Sequence, residues 1–409
     1  MRSFDALETR DPAEREAARL EALRDVVRDA KANAPHYQRT LAEVDPDSLT
    51  SREALAALPV LYKSDLPELQ AAMPPLGGLA TRPVSAFRRL YLSPGPIAEP
   101  EGETPHWRMG RALHAAGIGA GDVVLNAFAY HLTPAGAMFD AGAAEVGATT
   151  VPAGVGNSDT QADAIGHLGV TAYVGTPDYL KVLLEKADAR GVDASRLTKA
   201  LVSGGPLFPE LREGYEARGI AVRQCYGTAE LGLIAYETVP GEGLVMDEAA
   251  LVEVVRPGTG DPLPDGEVGE VVVTTFNPDY PLIRLATGDL SAVLTGPSPC
   301  GRTGRRLRGW MGRADQTTKV RGMFVHPRQV ARVLAAFPEV RRARLEVGGS
   351  GGQDTLTLHV EGTGEPGLAE RLAEAVRAEC RVRGEVRFVP EGSLPNDGKV
   401  IEDVRPPTG

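Results

Sequence analysis

"TAYVGTPDYLKVLLEKADARGVDASRLTKALVSGG", residues 171–205, shows most directly how this chain folds. Its two ends, 171–176 and 199–205, are short apolar runs with the length of buried strands, and residues 177–190 between them have the spacing of a helix. A strand, a helix and a second apolar strand in this order predict two parallel neighbours in one sheet, because parallel strands need a crossover connection.

The same alternation continues on both sides of this stretch. Further strand-like runs are "DVVLNAF" (122–128), "ATTVPAG" (148–154) and "VRQCYG" (222–227), and residues 208–218 form another helical segment. Buried parallel strands need helices on both faces, so the sequence predicts an α/β fold with layered sheets and helices. Several strands end in turns that contain glycine, at the edge where such sheets bind ligands.

Both ends of the chain carry further structure. Residues 12–33 are predicted to form an amphipathic helix, with Leu20 and Leu23 among the apolar positions and Asp11 as the cap. From about residue 240 the pattern changes to antiparallel strands with Gly and Pro turns, and "EVRFVP" (385–390) is interpreted as the last strand.

The predicted domain organisation follows from this change of pattern. Residues 1–315 are expected to form a large N-terminal domain, and residues 316–409 a small α+β domain. The boundary is placed at Asp315.

Composition excludes several classes of function. The net charge of −11 argues against nucleic-acid binding. Cys225, Cys300 and Cys380 lie far apart, which argues against a disulfide framework and a structural zinc site and fits a reducing compartment. No apolar run approaches the roughly 20 residues that cross a bilayer. We therefore expect a cytoplasmic enzyme whose partners include neither nucleic acid nor membrane.

One segment, "YLSPGPIAEPEG" (91–102), combines signals that disagree. Its Gly and Pro content indicates an ordered turn or a flexible loop, which could hold a phosphate. However, it has no Lys, its one hydroxyl is that of Ser93, and it carries two carboxylates, Glu99 and Glu101. From these residues alone, an altered phosphate loop and a plain connector both remain open.

Four further motifs occur in an order that identifies a family. They are "QCYGTAELG" (224–232), "YPLIRLATGDLS" (280–291), "GWMGRADQTTKVRGMFVHPRQV" (309–330) and "LPNDGKV" (394–400). Together they resemble the adenylate-forming superfamily of acyl- and aryl-CoA ligases, peptide-synthetase adenylation domains and luciferases. Other matches are similar to its phenylacetate–CoA ligase branch: "NAPHYQRTL" (33–41), "LPVLYKSDL" (58–66), "GVGNSDTQ" (154–161), "GTPDYL" (175–180) and "CGRT" (300–303).

The resemblance implies a reaction in two halves. A carboxylate attacks the α-phosphate of ATP to give an acyl-adenylate and pyrophosphate, and the thiolate of coenzyme A then displaces AMP. It implies ATP, Mg²⁺ and CoA as cofactors, a carboxylic acid substrate with aromatic acids favoured, a mobile C-terminal lid that rotates between the two halves, and a homodimer. Two alternatives remain: transfer to a carrier protein or an amine, and a weakened homologue that binds ligands without activating acids.

Residues at the end of the 222–227 strand and directly after it receive roles from the resemblance. Glu230 would bind Mg²⁺, which takes one or two protein carboxylates together with substrate phosphates. Thr228 would donate its hydroxyl to the α-phosphate, and Tyr226 would pack against the adenine beside Gly227. The adenine wall would be completed by Gly204, Gly205 and Pro206. By itself, a Tyr–Gly pair after a strand is equally typical of a plain turn.

The later motifs supply the remaining nucleotide contacts. Asp289 would accept both ribose hydroxyls, although such an Asp also caps turns, and Leu285 stands where the family usually has an aromatic residue. Arg313 would reach the nucleotide and Asp315 would be the hinge. The alternative for their motif is a solvated linker. Lys399 would bridge the substrate carboxylate and the α-phosphate, unless it is merely an exposed Lys.

Two sites rest on weaker parts of the resemblance. Gly322 would let the pantetheine of CoA pass close to the backbone. The acyl pocket would include Tyr130, His131 and Tyr236, although a His that is simply hydrogen-bonded beside a helix start explains His131 equally well.

The resemblance also places the segment 91–102 in the slot of the family's phosphate loop. Ser93 and Gly95 match that loop, whereas Glu99 stands where it has Lys, and two prolines remove N–H donors. The segment is therefore interpreted as a degenerate phosphate loop, which predicts weak ATP affinity or a strong dependence on magnesium.

Overall fold

The computed structural model describes residues 3–104, 106–314, 318–321, 323–350, 353–395 and 397–405. The chain forms two compact units. Unit 1 comprises Met1–Val252, Val273–Leu285 and Leu294–Gly309, and unit 2 comprises Glu253–Val272, Ala286–Val293 and Trp310–Gly409. Unit 2 thus takes in two segments that lie before the predicted boundary, and Asp315 itself lies outside the described residues.

The elements of the described residues are as follows. The α-helices are α1 (Pro12–Asn33), α2 (Pro35–Thr40), α3 (Arg52–Ala56), α4 (Leu66–Ala72), α5 (Gly110–Ala115), α6 (Ala135–Glu145), α7 (Ser158–His167), α8 (Pro177–Ala189), α9 (Pro209–Ala217), α10 (Pro327–Ala335) and α11 (Leu368–Cys380). The strands are β1 (Leu61–Tyr62), β2 (Arg89–Ser93), β3 (Ile97–Glu101), β4 (Val123–Asn126), β5 (Thr149–Pro152), β6 (Ala172–Gly175), β7 (Lys199–Val202), β8 (Ala221–Thr228), β9 (Gly232–Glu237), β10 (Leu244–Met246), β11 (Ala250–Val255), β12 (Val268–Thr275), β13 (Leu285–Leu294), β14 (Arg306–Leu307), β15 (Thr318–Val320), β16 (Met323–Val325), β17 (Ala343–Ser350), β18 (Gln353–Glu361), β19 (Glu385–Val389) and β20 (Ile401–Asp403).

The predicted parallel sheet is confirmed in unit 1. Strands β5, β4, β6, β7 and β8 lie side by side in that order, and each neighbouring pair is parallel. Helix α8 connects β6 to β7, begins with Pro177 in its first turn, and buries Leu180 and Leu183 against the sheet core. Because the strands between helices are buried on both faces, they consist almost wholly of apolar residues.

The predicted N-terminal helix is confirmed as α1. The side chain of Asp11 accepts hydrogen bonds from the backbone N–H groups of Ala13 and Glu14, which satisfies two donors that the first turn leaves unpaired. Leu23 and Val27 are fully buried on one face of α1. The helix ends before the "AP" pair at 34–35, where proline restricts the residue before it.

Strand β8 connects the parallel and antiparallel parts of the unit 1 sheet. One edge pairs in parallel with β7, and the other pairs antiparallel with β9, which is followed by β10 and β14. The register shifts between Tyr226 and Gly227, which makes a bulge at the carboxyl end of β8. Bulges of this kind redirect side chains at the end of a strand.

The segment 91–102 is a β-hairpin, so the prediction of a turn or flexible loop is wrong for most of its length. Strands β2 and β3 pair from Arg89 with Glu101 to Ser93 with Ile97, and only residues 94–96 lie between them. Strand pairing fixes which side chains point to each face. The hairpin therefore sets the direction of Glu99 more firmly than a loop would.

Unit 2 contains a four-stranded sheet in the order β19, β18, β17, β20. Strands β17 and β18 pair antiparallel, and α11 buries Leu372 and Val376 in the same core. The interpretation of residues 385–390 as the last strand is wrong, because β20 follows and pairs in parallel with β17. None of the helices in the described parts of the chain is long and apolar enough to span a bilayer.

Candidate active site

The turn after β8 carries the first group of predicted site residues. The hydroxyl of Thr228 accepts a hydrogen bond of 3.2 Å from the backbone N–H of Leu231, which closes the turn. Gly232, at the end of the turn, has φ +72°, and a Cβ there would lie 2.7 Å from the backbone of Trp107. Only glycine fits this conformation and this space. The turn therefore holds Glu230 against the segment that contains Trp107.

Glu230 is buried and forms an ion pair. Its side chain is 1% exposed, and its Oε1 lies 2.8 Å from Nζ of Lys63, which is 30% exposed. Lys63 begins the 3₁₀ turn that follows β1. The sequence analysis did not single out Lys63, although it lies in the segment 58–66 quoted for the family resemblance.

Glu99 points into the same part of unit 1. It is 4% exposed, and the hydroxyl of Ser93 donates a 2.6 Å hydrogen bond to its Oε1. Its Oε2 has no hydrogen-bond partner in the described residues. Burial, followed by the charge of Glu230, raises the pKa of Glu99 to about 8. The carboxyl group therefore lies close enough to Glu230 for the two charges to interact.

Glu101, the second carboxylate of the hairpin, is fully paired. The hydroxyl of Tyr91 donates to its Oε2 at 2.6 Å, and Nη1 of Arg89 lies 2.9 Å from the same oxygen. Burial and the interaction with Glu101 raise the pKa of Tyr91 to about 12, so the phenol stays protonated and keeps donating. Glu101 therefore has a structural role in the hairpin.

An open cleft in unit 1 brings the carboxylates of Glu99, Glu101 and Glu230 together. Glu99 and Glu230 both line it, with polar side chains from two other segments. These are His106, Arg108, Asn277 and Tyr280. Burial lowers the pKa of His106, so its imidazole is mostly neutral at pH 7. The cleft wall therefore combines carboxylate oxygens with hydrogen-bonding groups, and the Lys63 ammonium pairs with one of these carboxylates, Glu230.

The cleft fits a hard divalent cation that also binds phosphate. No three His, Cys, Asp or Glu side chains of the described residues form a complete metal site. Mg²⁺ does not require one, since it usually takes one or two carboxylates and completes its shell with phosphate oxygens and water. Glu230 provides a buried carboxylate of the right chemistry.

The predicted adenine wall follows β7. Gly204, Gly205 and Pro206 are exposed, and Gly204 has φ +74°. Strand β7 pairs with β8, which carries Tyr226 and Gly227, so the structure brings the two predicted segments to neighbouring strand ends.

Asp289 is hydrogen-bonded within unit 2. Its Oδ1 accepts hydrogen bonds from Nη1 of Arg313 at 2.8 Å and from Nε1 of Trp310 at 3.1 Å. The backbones of Asp289 and Arg313 also form an isolated bridge. The structure therefore brings together Asp289, predicted to accept the ribose hydroxyls, and Arg313, predicted to reach the nucleotide. It adds Trp310, which is 53% exposed and which the sequence analysis did not identify.

Lys399 lies beside the strand that carries Asp289. Its Nζ is 3.4 Å from Oε1 of Glu402, and the side chain is about half exposed. The preceding residue, Gly398, has φ +71°, and a Cβ there would lie 2.8 Å from Cγ1 of Val268 and 3.0 Å from Cδ2 of Leu290. Close packing at Gly398 therefore fixes the Lys399 loop within unit 2.

The residues predicted for the acyl pocket occupy different environments. Tyr130 is half-buried, and its hydroxyl accepts a 2.8 Å hydrogen bond from Asn126, whereas His131 is exposed. Tyr236 is 1% exposed, and its hydroxyl donates to Glu8 at 2.6 Å within the core of unit 1. Its packing and hydrogen bond in the core explain the tyrosine at this position, so we do not include Tyr236 in the proposed acyl pocket.

Two predicted residues, the hinge Asp315 and the CoA contact Gly322, lie outside the described residues. Their roles stay predictions.

Comparison with known proteins places the chain among AMP-binding enzymes, a family that matches residues 142–277. The chain is 31% identical to a phenylacetate–coenzyme A ligase of Aromatoleum evansii, over 88% of this chain and 84% of the relative. It is 30% identical to one of Thermus thermophilus, over 95% of each. A crystal structure of 2-hydroxyisobutyryl-CoA ligase in the postadenylation state, in complex with 2-HIB-AMP, superposes with a TM-score of 0.72 at 27% identity, covering 98% of this chain and 94% of that one.

Proposed function

The chain belongs to the phenylacetate–CoA ligase family of AMP-forming acid–thiol ligases, and from this premise we propose how its own residues carry out the reaction. The proposed substrates are ATP, a carboxylic acid and coenzyme A. The observation that carries the proposal is the buried Glu230 carboxylate, held by a strand-end turn in a cleft beside the Lys63 ammonium.

In the first half-reaction, an oxygen of the substrate carboxylate attacks the α-phosphorus and pyrophosphate leaves with the electrons of the broken P–O bond. Lys399 stabilises the negative charge that both anions bring to the reacting centre, and Thr228 donates to the α-phosphate. Glu230 would hold Mg²⁺, which would neutralise phosphate charge. Asp289, with Arg313 beside it, accepts the ribose hydroxyls.

In the second half-reaction, the CoA thiolate attacks the acyl carbonyl carbon and AMP leaves. Lys399 has no part in this step, so its loop moves aside by rotation at Asp315. Gly322 borders the pantetheine path. Both assignments are supported by the family motif alone.

The acid is proposed to be aromatic. Relatives named for phenylacetate support this choice. A neighbour that carries 2-hydroxyisobutyryl-AMP shows that a small branched acid belongs in any panel of substrates.

ATP–pyrophosphate exchange across aromatic and aliphatic acids tests the proposal. We expect acid-dependent exchange, followed by thioester formation when CoA is added. Lys399→Ala should lower exchange by about 10²–10³, as the loss of one electrostatic contact in a dry site commonly does. Lys181→Ala, which removes an exposed lysine of α8, should have no effect.

The outcome also separates the alternatives. Exchange without CoA-dependent release of AMP would indicate a carrier-protein or amine acceptor. Intact nucleotide binding without exchange for any acid would refute the proposal and support a ligand-binding homologue, which the donor-poor hairpin at 94–96 would then explain.

A further inference from the structure

The carboxylates of Glu99 and Glu230 are buried in the cleft, and the positive charge beside them is too small to balance both. The Lys63 ammonium pairs with Oε1 of Glu230, and Ser93 donates to Oε1 of Glu99. Oε2 of both residues has no hydrogen-bond partner in the described part of the chain. Burying carboxylate oxygens without partners is costly, so an arrangement of this kind indicates a positively charged ligand.

The other charged groups near the cleft do not supply that charge. Arg108 is occupied by Asp247, at 2.7 Å, and by backbone carbonyls. Arg89 pairs with Glu101. Among the residues that the structure describes here, one ammonium, that of Lys63, therefore faces two carboxylates.

The hairpin fixes Glu99 in this position. One face of the hairpin buries Ser93, Glu99 and Glu101 together with Tyr91 and Ile97, whereas Leu90 and Leu92 are exposed on the other face. Burying two carboxylates while two leucines stay exposed departs from the usual pattern. The buried face therefore provides polar contacts as well as apolar packing.

We propose that Glu99 is a second carboxylate ligand of the divalent cation that Glu230 holds. The hairpin then contributes to pyrophosphate binding through the cation, in place of the N–H groups and the lysine ammonium that it lacks. Two carboxylates and phosphate oxygens form the oxygen-rich shell that Mg²⁺ and Mn²⁺ prefer. The inference rests on the proposed function for the assignment of Glu230.

Titration of the full-length enzyme with Mn²⁺ alone tests the inference. Binding is measured as the loss of the EPR signal of free Mn²⁺. We expect one Mn²⁺ per chain that Mg²⁺ displaces. Glu99→Gln should weaken Mn²⁺ binding at least about tenfold, because it removes one of two charged ligands. Glu103→Gln, a control at an exposed position just after the hairpin, should bind as the wild type does.

Equal Mn²⁺ affinity in wild type and Glu99→Gln, or no Mn²⁺ binding by the wild type, would overturn the inference. Glu99→Asp guards against a folding defect, since it keeps the charge and should recover part of the affinity. Exchange is measured on the same preparations. Mn²⁺ binding that depends on Glu99, without exchange activity, would support the cation site and refute the proposed function. Exchange activity with Mn²⁺ binding that does not depend on Glu99 would support the proposed function and refute the cation site.

Discussion

Cys300 differs from the other two cysteines in its surroundings. Burial raises the pKa of Cys225 to about 12 and that of Cys380 to about 11. Burial also acts to raise the pKa of Cys300, but hydrogen bonds from its neighbours, Ser298 first, outweigh it and lower that pKa to about 7. The Oγ of Ser298 lies 3.1 Å from the sulfur.

Alkylation by iodoacetamide should therefore select Cys300. Its rate should rise as the pH passes through about 7, because the thiolate is the nucleophile and its fraction grows with pH. Ser298→Ala should move the midpoint to higher pH. Mass spectrometry of the three cysteine peptides measures both effects. Equal labelling of all three cysteines in the folded enzyme, or a midpoint that Ser298→Ala leaves unchanged, would contradict this prediction.

Single residues also show where sequence reasoning stops. The motifs predicted that Asp289 and Arg313 belong to one site, and the structure places them 2.8 Å apart. Lys63 was missed because its contact with Glu230 joins distant parts of the chain. Trp310 lies inside a quoted motif, but nothing in the motif shows that its indole bonds to Asp289.

At the scale of elements, the loop before Lys399 depends on Gly398. Gly398→Ala combines a strained φ of +71° with contacts of 2.8 and 3.0 Å to Val268 and Leu290. We expect this variant to shift Lys399 and to lower the exchange rate by about tenfold or more, since a small displacement of a catalytic group strongly reduces the reaction rate.

Gly392→Ala provides a matched control for this element. Gly392 has a similar φ of +77°, but a Cβ there would meet nothing within 4 Å. Exchange assays on both variants separate the effect of steric contact by the new Cβ from the effect of backbone strain at a positive φ. An equal loss of activity in the two variants would show that packing at Gly398 does not position the loop.

The elements themselves were largely predictable. Apolar strands and amphipathic helices produced the parallel sheet and α1 directly, because local periodicity reflects burial. The hairpin β2–β3 was not predictable, since its buried face carries Glu99 and Glu101 and its exposed face carries Leu90 and Leu92. Strand β20 was missed because it has only three residues, Ile401–Asp403, and is defined by pairing with a distant strand.

At the scale of the whole molecule, the two half-reactions should be separable at the proposed hinge. Asp315→Pro restricts the backbone φ to about −65° and should impair rotation. We expect ATP–pyrophosphate exchange to stay near the wild-type rate and thioester formation to fall by about tenfold or more. Asp315→Ala, which leaves the backbone free, should retain both rates. Parallel loss of exchange and thioester formation in Asp315→Pro would argue against a hinge there.

The contact between Trp310 and Asp289 has an optical consequence. The chain has two tryptophans, and they differ sharply: Trp107 is buried, whereas Trp310 is 53% exposed and bonded to the proposed ribose acceptor. A ribose hydroxyl that donates to Asp289 would compete with the indole N–H of Trp310 for the same carboxylate oxygen. If Asp289 accepts the ribose as proposed, we expect nucleotide binding to change the fluorescence of Trp310, which would then be a label-free reporter of nucleotide occupancy.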